Sequence, residues 1–130
     1  MSTAPAVVAD TSVWIAHFRS ADLTLARLLR AGRIRMHPYV VSELALGSLV
    51  NRLQTLADLR SLPSVPVADP SELDRLIESR SLYSRGIGFV DAHLLASALL
   101  DGNLEIWTLD KRLAALAAEL GVNAKSVFAG

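Results

Sequence analysis

Short apolar runs alternate along this chain with longer stretches in which leucine and alanine recur at helical spacing. Ala6–Ala9 is an apolar run that ends at Asp10, a pattern typical of a buried strand in a parallel sheet. Residues 34–36 and 105–108 predict two further strands, and residues 126–127 predict a short final strand. The apolar runs therefore predict a small sheet of short strands.

Seven intervening stretches predict helices, because their apolar residues repeat every three or four positions. Residues 12–18 form the first, and Pro38 suits the first turn of the third, which we expect to end near residues 46–47. The expected N-caps are Asp22, Ser71 and Asp110, and the expected breaks are Gly32 after the second helix and Gly86 and Gly88 before the sixth. The apolar faces are Leu25, Leu28 and Leu29; Leu49, Leu53 and Leu56; Leu73, Leu76 and Ile77; Leu94, Leu95, Ala98 and Leu99; and Leu113, Leu116 and Leu120.

Strands and helices thus alternate from one end of the chain to the other. This order predicts an α/β sandwich with a mostly parallel central sheet. Residues 62–70 contain three prolines and are expected to connect two halves of one domain. Parallel sheets bind ligands at the carboxyl ends of their strands. Asp10 directly follows the first predicted strand and Asp110 lies just beyond the third, so we expect function at this edge.

Composition narrows the class of protein. The 130 residues are the size of one domain, expected to span residues 1–130, and an apolar fraction of 52% excludes intrinsic disorder. The lack of cysteine excludes disulfides and thiolate metal sites. No apolar run approaches the ~18 residues of a membrane span, and the N-terminus lacks the features of a signal peptide, so we expect a cytoplasmic protein. The 13 basic and 13 acidic residues balance, which argues against a strongly basic protein that coats nucleic acid.

Four acidic residues occupy comparable places. Asp10 follows the first strand, Glu43 lies on the third helix, Asp91 lies in the first turn of the sixth and Asp110 opens the last. Each has an ordinary explanation by itself, since aspartate is a common N-cap and glutamate is usually solvated. Asp91 is harder to explain, because its helical neighbours are apolar and an acid on a buried face is costly unless it is paired or bound to metal.

The four acids together indicate a metal site. Several carboxylates gathered at strand ends repel one another, so at least one should have a raised pKa in the metal-free fold. A set of oxygen ligands favours Mg²⁺ or Mn²⁺. Such an ion can lower the pKa of a water molecule and neutralise a phosphodiester. Thr11, Ser12 and Thr108 are expected to orient the carboxylates or the water.

The three histidines fit a metal role less well. His17 ends the first helix, His37 precedes Pro38, and His93 points to a different side of its helix from Asp91. We expect packing or surface roles for all three.

Four stretches of the sequence carry a resemblance to a known family. They are Asp-Thr-Ser-Val-Trp at residues 10–14, Ser-Glu at 42–43, Phe-Val-Asp-Ala-His-Leu-Leu-Ala at 89–96 and Trp-Thr-Leu-Asp-Lys-Arg-Leu at 107–113. In these stretches the chain resembles the PIN-domain nucleases, and most closely the VapC toxins of bacterial toxin–antitoxin pairs. The resemblance spans nearly the whole chain, and its specific part is the third stretch followed by the Thr-x-Asp of the fourth.

This resemblance implies a three-layer α/β/α PIN fold and an endoribonuclease that depends on Mg²⁺ or Mn²⁺. It also implies a homodimer and a cognate VapB-type antitoxin that inhibits it. By the same resemblance, the metal-binding and catalytic acids are Asp10, Glu43, Asp91 and Asp110, with Ser12 and Thr108 as supporting hydroxyls.

RNA binding by a neutral protein requires basic residues around the acids. Arg85 beside Gly86, Lys111 and Arg112 beside Asp110, and Arg19 are the candidates. Trp14 and Trp107 lie near the acids as well, but both occupy apolar segments and are expected in the core.

Two other functions remain open at this point. A PIN-like fold can serve as a non-catalytic module that binds RNA or protein, although the presence of all four acids argues against it. A receiver-type signalling domain also binds Mg²⁺ and has this length, but it needs a phosphate-accepting aspartate after a central strand. The mid-chain candidates, Asp58 and Asp69, follow no convincing strand.

Overall fold

A computed structural model describes residues 4–128. Three strands and eight helices follow one another in this part of the chain. In chain order they are β1 (Ala6–Ala9), α1 (Thr11–Arg19), α2 (Leu23–Arg30), β2 (Ile34–Arg35), α3 (Pro38–Ala45), α4 (Arg52–Arg60), α5 (Pro70–Ser79), α6 (Phe89–Asp101), β3 (Leu104–Trp107), α7 (Lys111–Glu119) and α8 (Lys125–Phe128).

The sheet is parallel throughout, in the order β2-β1-β3. β1 lies in the centre, where Val7 and Val8 are completely buried. Its last residue, Ala9, pairs with Trp107, the last residue of β3. The residues that follow the two strands therefore emerge side by side at the carboxyl edge. The predicted α/β class with a parallel sheet is confirmed. The seven predicted helices also occur in the predicted order along the chain.

Helix starts follow the expected chemistry at most positions. Asp22 accepts a hydrogen bond from the Leu25 backbone amide at 2.9 Å and caps α2. The predicted Ser71 cap of α5 is wrong, because Asp69 holds that place. Asp69 accepts from the Glu72 amide at 2.8 Å while Glu72 accepts from the Asp69 amide at 2.9 Å, and this reciprocal pair outcompetes the serine hydroxyl.

The predicted apolar face of the fourth helix is also wrong in two of its three residues. Asn51 adopts the left-handed region with φ of 49°, and α4 begins only after it, so Leu49 precedes the helix. Leu53 is 87% exposed, and the buried face consists of Leu56 and Leu59.

The final strand expected at residues 126–127 is the helix α8 instead. The sheet receives only a single parallel bridge from this region, between Ile106 and Asn123. Beyond it, the Ser126 backbone amide and hydroxyl both donate to the buried Glu105 carboxylate, at 3.1 and 2.5 Å. These bonds hold the chain in a helical turn. None of the helices in residues 4–128 is long and apolar enough to cross a membrane.

His37 is completely buried at the start of α3. Its Nδ1 accepts a hydrogen bond from the Tyr39 backbone amide at 3.0 Å, so the imidazole caps the helix. Burial, and then the proximity of His93, lower the pKa of His37 from 6.5 to about 4. The imidazole of His37 is therefore neutral in the folded protein at neutral pH.

This lowered pKa predicts an acid-sensitive contribution to stability. The unfolded chain takes up a proton at His37 near pH 6.5 and the folded protein only near pH 4. The free energy of unfolding should therefore fall across this window as the pH is lowered, by roughly 3 kcal/mol from this group. His37→Asn keeps a capping acceptor without a titrating ring, so urea unfolding at pH 7, 5 and 4 should show a flatter profile for the variant. Parallel profiles for the two proteins would contradict the assignment.

Candidate active site

Asp10 lies at the carboxyl end of β1 and is only 6% exposed. It caps α1 by accepting a hydrogen bond from the Val13 amide at 3.2 Å. The Ser12 hydroxyl donates to Oδ1 at 2.5 Å, and the Thr108 hydroxyl donates to Oδ2. Its backbone amide donates to the Trp107 carbonyl at 3.0 Å. Both carboxylate oxygens are therefore fixed in direction, and Oδ2, which accepts a single hydrogen bond, keeps a free lone pair.

The same two hydroxyls connect β1 to the segment after β3. Ser12 Oγ accepts from the Leu109 amide at 3.0 Å, and Thr108 Oγ1 accepts from the Asp110 amide at 3.0 Å. Asp110 then caps α7 by accepting from the Arg112 and Leu113 amides, at 2.9 and 3.1 Å. Each hydroxyl thus donates to Asp10 and accepts from the backbone at or beside Asp110. These bonds fix the position of Asp10 relative to Asp110.

The other two acids reach the same edge from helices. Asp91 lies in the first turn of α6, half-buried, and its Oδ2 accepts from the Gly88 amide at 3.1 Å. Glu43 lies on α3 and is exposed, and its Oε1 accepts from the Thr11 hydroxyl at 2.6 Å. Each of these carboxylates therefore has one anchoring hydrogen bond.

The other three acids lie near enough to Asp91 to affect its pKa. Burial is the main cause of the raised pKa of Asp91, the hydrogen bond from the Gly88 amide opposes it, and repulsion by three carboxylates adds to it. The repelling groups are Asp10, Asp110 and Glu43. The expected rise in pKa is thus present, but burial of Asp91 contributes more than the repulsion that the sequence pointed to.

The donor set suits a hard divalent cation. The four side chains offer carboxylate oxygens, and in residues 4–128 the one ion pair joins Arg85 to Glu119. No basic side chain therefore neutralises the acids in the described part of the chain. Within these residues no three His, Asp or Glu side chains are drawn together into a preformed ligand cluster. Asp10, Asp110 and Glu43 are nevertheless near enough to Asp91 for their charges to repel its own.

The histidines do not join the acids as ligands. His37 and His93 are buried, and His17 Nδ1 accepts from the Asp22 amide at 2.9 Å. The burial of His37 and His93 agrees with the expected packing or surface roles. Trp14 and Trp107 are buried as expected, at 3% and 5% exposure.

The four basic candidates for RNA contact have different surroundings. Arg85 is bound to both Glu119 oxygens at 2.8 Å, so this guanidinium is already occupied. Arg112 lies across Gly86, where an added Cβ would come within 2.8 Å of Arg112 Cδ. Lys111 is exposed beside Asp110, and Arg19 lines a groove together with Glu43.

Two features of this region were not evident from the sequence. One is that groove, of about 600 Å³, whose lining includes Ile15, Phe18 and Val50. The other is a group of aromatic rings between the N-terminal ends of α3 and α6. The sequence gives only a weak indication of this aromatic group, namely the position of two of its rings near the acids. Tyr39 lies four residues before Glu43 on one helical face, and Phe89 lies two residues before Asp91. The receiver-type candidates are excluded, because Asp58 lies inside α4 and Asp69 caps α5.

Comparison with known proteins gives two results. The family model of the PIN domain matches residues 7–119, a region that contains all four acids. Two similar proteins are both named Ribonuclease VapC32, from Mycobacterium tuberculosis strains CDC 1551 / Oshkosh and ATCC 25618 / H37Rv. Each is 47% identical to this chain over 116 residues, which cover 89% of this chain and 94% of the relative.

The raised pKa of Asp91 predicts that its charge destabilises the metal-free protein. The folded state holds this proton more tightly than the unfolded chain does, so the associated stability is lost as the pH rises from 3.8 through the folded pKa. Asp91→Asn keeps the shape and an acceptor for the Gly88 amide. In EDTA at pH 7 the variant should melt at a higher temperature than the wild type, and the gap should narrow toward pH 4.

Asp69→Asn provides the matched control for these melting curves. Hydrogen bonds from the Glu72 amide and from Ser71 lower the pKa of Asp69, so its charge is favourable in the folded state. This variant should melt lower than the wild type at pH 7. A destabilised Asp91→Asn protein at pH 7 would mean that Asp91 serves the helix terminus rather than a shared site.

Proposed function

This chain belongs to the PIN-domain family, and from that premise we propose that it is a divalent-metal-dependent endoribonuclease that acts as the toxin of a toxin–antitoxin pair. The observation that carries the proposal is the approach of four carboxylates at the carboxyl edge of the sheet, without a basic partner among residues 4–128. The similarity to proteins named Ribonuclease VapC32 supports RNA as the substrate.

Asp10, Glu43, Asp91 and Asp110 would hold the cation, Mg²⁺ or Mn²⁺. When bound, such an ion lowers the pKa of a water molecule and neutralises charge on the phosphodiester. Asp10 is the fixed member of the set, because Ser12 and Thr108 hold its two oxygens. Glu43 is exposed and has a single tether to Thr11, so it is the carboxylate with the greatest freedom to adjust.

The surroundings of the site favour attack by water over attack by the ribose 2′-hydroxyl. The second route needs a side chain that removes the hydroxyl proton, commonly a histidine. The three histidines are engaged elsewhere: His37 and His93 are buried, and His17 accepts a hydrogen bond from the Asp22 amide. The expected products therefore carry 5′-phosphate and 3′-hydroxyl ends.

Arg112 and Lys111 are the best-placed groups for the RNA backbone. Both follow Asp110 directly, and the packing of Arg112 across Gly86 restricts its side chain without neutralising it. Arg85 is a weaker candidate, because RNA would have to displace Glu119. Arg19 lies farther along the groove that reaches Glu43.

The proposed partner is a VapB-type antitoxin, and the toxin itself is proposed to be a homodimer. An acidic cleft is a receptor for an arginine or lysine side chain, which would pair with the carboxylates and compete with the cation. The groove that continues from Glu43 has apolar side chains in Ile15, Phe18 and Val50, which suit an apolar part of the segment that delivers such a residue. Inhibition then needs one basic side chain and one apolar stretch.

The nuclease proposal predicts metal-dependent cleavage of single-stranded RNA. Asp10→Asn should abolish cleavage with an unchanged circular dichroism spectrum, and excess EDTA should abolish it in the wild type. Thr108→Val should lower activity by roughly ten- to a hundredfold, because it frees one Asp10 oxygen, while Thr108→Ser should keep most of it. RNA that binds the protein but stays intact in both Mg²⁺ and Mn²⁺ would favour a non-catalytic binding module.

The toxin proposal predicts a genetic partner. Expression of this chain alone should arrest bacterial growth, and co-expression of the small adjacent gene should restore it. The matched control is Asp10→Asn, which should fail to arrest growth but still bind the partner. Purified partner should inhibit cleavage, and replacement of its inserted basic residue by alanine should weaken inhibition. Neighbouring genes whose products do not bind the protein would contradict the toxin role.

A further inference from the structure

Four aromatic rings join the N-terminal ends of α3 and α6. Tyr39 lies on α3 and His37 caps that helix, while Phe89 and His93 lie on α6. His93 is at the centre: its ring centroid lies 4.6 Å from Phe89, 4.7 Å from Tyr39 and 5.6 Å from His37. Both histidines are buried, so they form the floor of this ring cluster.

Two members of the cluster reach the surface. Phe89 is 64% exposed and Tyr39 is 36% exposed. Their rings are stacked, with centroids 5.9 Å apart and planes inclined by 25°. The edge contacts with His93, at 72° and 88°, fix both orientations from below. The result is a pair of exposed rings held in fixed orientations on a buried base of two further rings.

This surface borders the acidic site. Tyr39 precedes Glu43 by four residues on α3, so the two lie on one face of the helix, about 6 Å apart along its axis. Phe89 reaches the same place through its ring contact with Tyr39, since Asp91, two residues further along α6, points to a different side of that helix. A substrate held at the acids therefore passes close to the rings.

An uncharged contact would add affinity to the charged contacts that Lys111 and Arg112 offer beside the acids. Four carboxylates repel the phosphates of RNA, and Arg85 is paired with Glu119. Stacking on aromatic rings is a common source of affinity for unpaired bases, and it acts on every base because each has a π-face. Resting on the proposed nuclease function, we propose that Tyr39 and Phe89 form a stacking platform for one unpaired base beside the phosphodiester bond that is cut.

The platform restricts the substrate to RNA with unpaired bases. A base inside a duplex has both faces covered by its neighbours, so only single strands and loops can use the rings. Purines present a larger face than pyrimidines and should be held more tightly at this position. Tyr39 and Phe89 are thus positioning residues, which set where the chain of nucleotides lies relative to the acids.

The test compares variants that remove a ring with variants that keep it. Phe89→Leu and Tyr39→Leu should raise the KM for a single-stranded RNA oligonucleotide about tenfold each, equivalent to about 1.4 kcal/mol, with kcat changed much less. Phe89→Tyr should restore most of the lost affinity. Tyr83→Leu is the matched control, since Tyr83 is 56% exposed on the loop before α6 and belongs to no ring pair in the described residues. Its KM should equal that of the wild type.

A second measurement reads stacking directly. A 2-aminopurine placed beside the cleaved bond should lose fluorescence on binding to Asp10→Asn protein in EDTA, and the quenching should disappear when Phe89→Leu is added. In a separate Phe89→Trp protein, RNA should quench the emission of the new indole, while the buried Trp14 and Trp107 contribute a constant background. This variant keeps a ring at an exposed position, so it does not depend on the fold tolerating leucine.

The outcomes separate this proposal from the nuclease function. Cleavage with unchanged KM and unchanged quenching in the leucine variants overturns the platform alone. A wild-type protein that neither binds nor cuts RNA overturns the nuclease function and the platform with it. The leucine variants could instead have a lower molecular mass in solution than the wild type, with unchanged KM and quenching. That result would assign the rings to contact between two copies of the chain, and it also overturns the platform.

Discussion

The hydrogen bonds that Ser12 and Thr108 donate to Asp10 are the interactions on which the site depends. They are possible only because Ala9 pairs with Trp107, so that β1 and β3 end at the same level of the sheet. A shift in this register by one residue would turn Thr108 to the other face. The position of the central acid is therefore set by main-chain pairing in the core, and helices α3 and α6 then bring the remaining acids to a point that is already fixed.

Bringing these four acids together lowers the free energy of unfolding of the metal-free protein. Burial and three neighbouring charges disfavour the ionised form of Asp91 and raise its pKa, and one backbone amide partly compensates. A core of completely buried side chains such as Val7, Leu94 and Leu113 offsets this cost. Binding sites of many proteins are less stable than their scaffold for the same reason, since the charge arrangement that suits a ligand is unfavourable when the ligand is absent.

The parts that could be predicted from the sequence are those fixed by local chemistry. The β1 run, the Asp22 and Asp110 caps and the placement of acids after strands all depend on a few neighbouring residues. The errors arise where two local solutions compete or where tertiary contacts decide. Asp69 and Ser71 could each cap α5, and the reciprocal bond with Glu72 selected the first. The turn at 126–127 depends on Glu105, and the pairing of Arg85 depends on Glu119, contacts that no local pattern reveals.

The bonds of the site also have a consequence for synthesis of the protein. Asp10 is made early, but the hydroxyl that holds its second oxygen comes 98 residues later, and the β3 strand that pairs with β1 comes just before it. A nascent chain therefore lacks a formed site until Thr108 has left the ribosome, and a product of premature termination before Thr108 lacks one permanently. For an enzyme that attacks RNA in the cell that makes it, this late closure delays the first cut until its own message has been translated past the Thr108 codon.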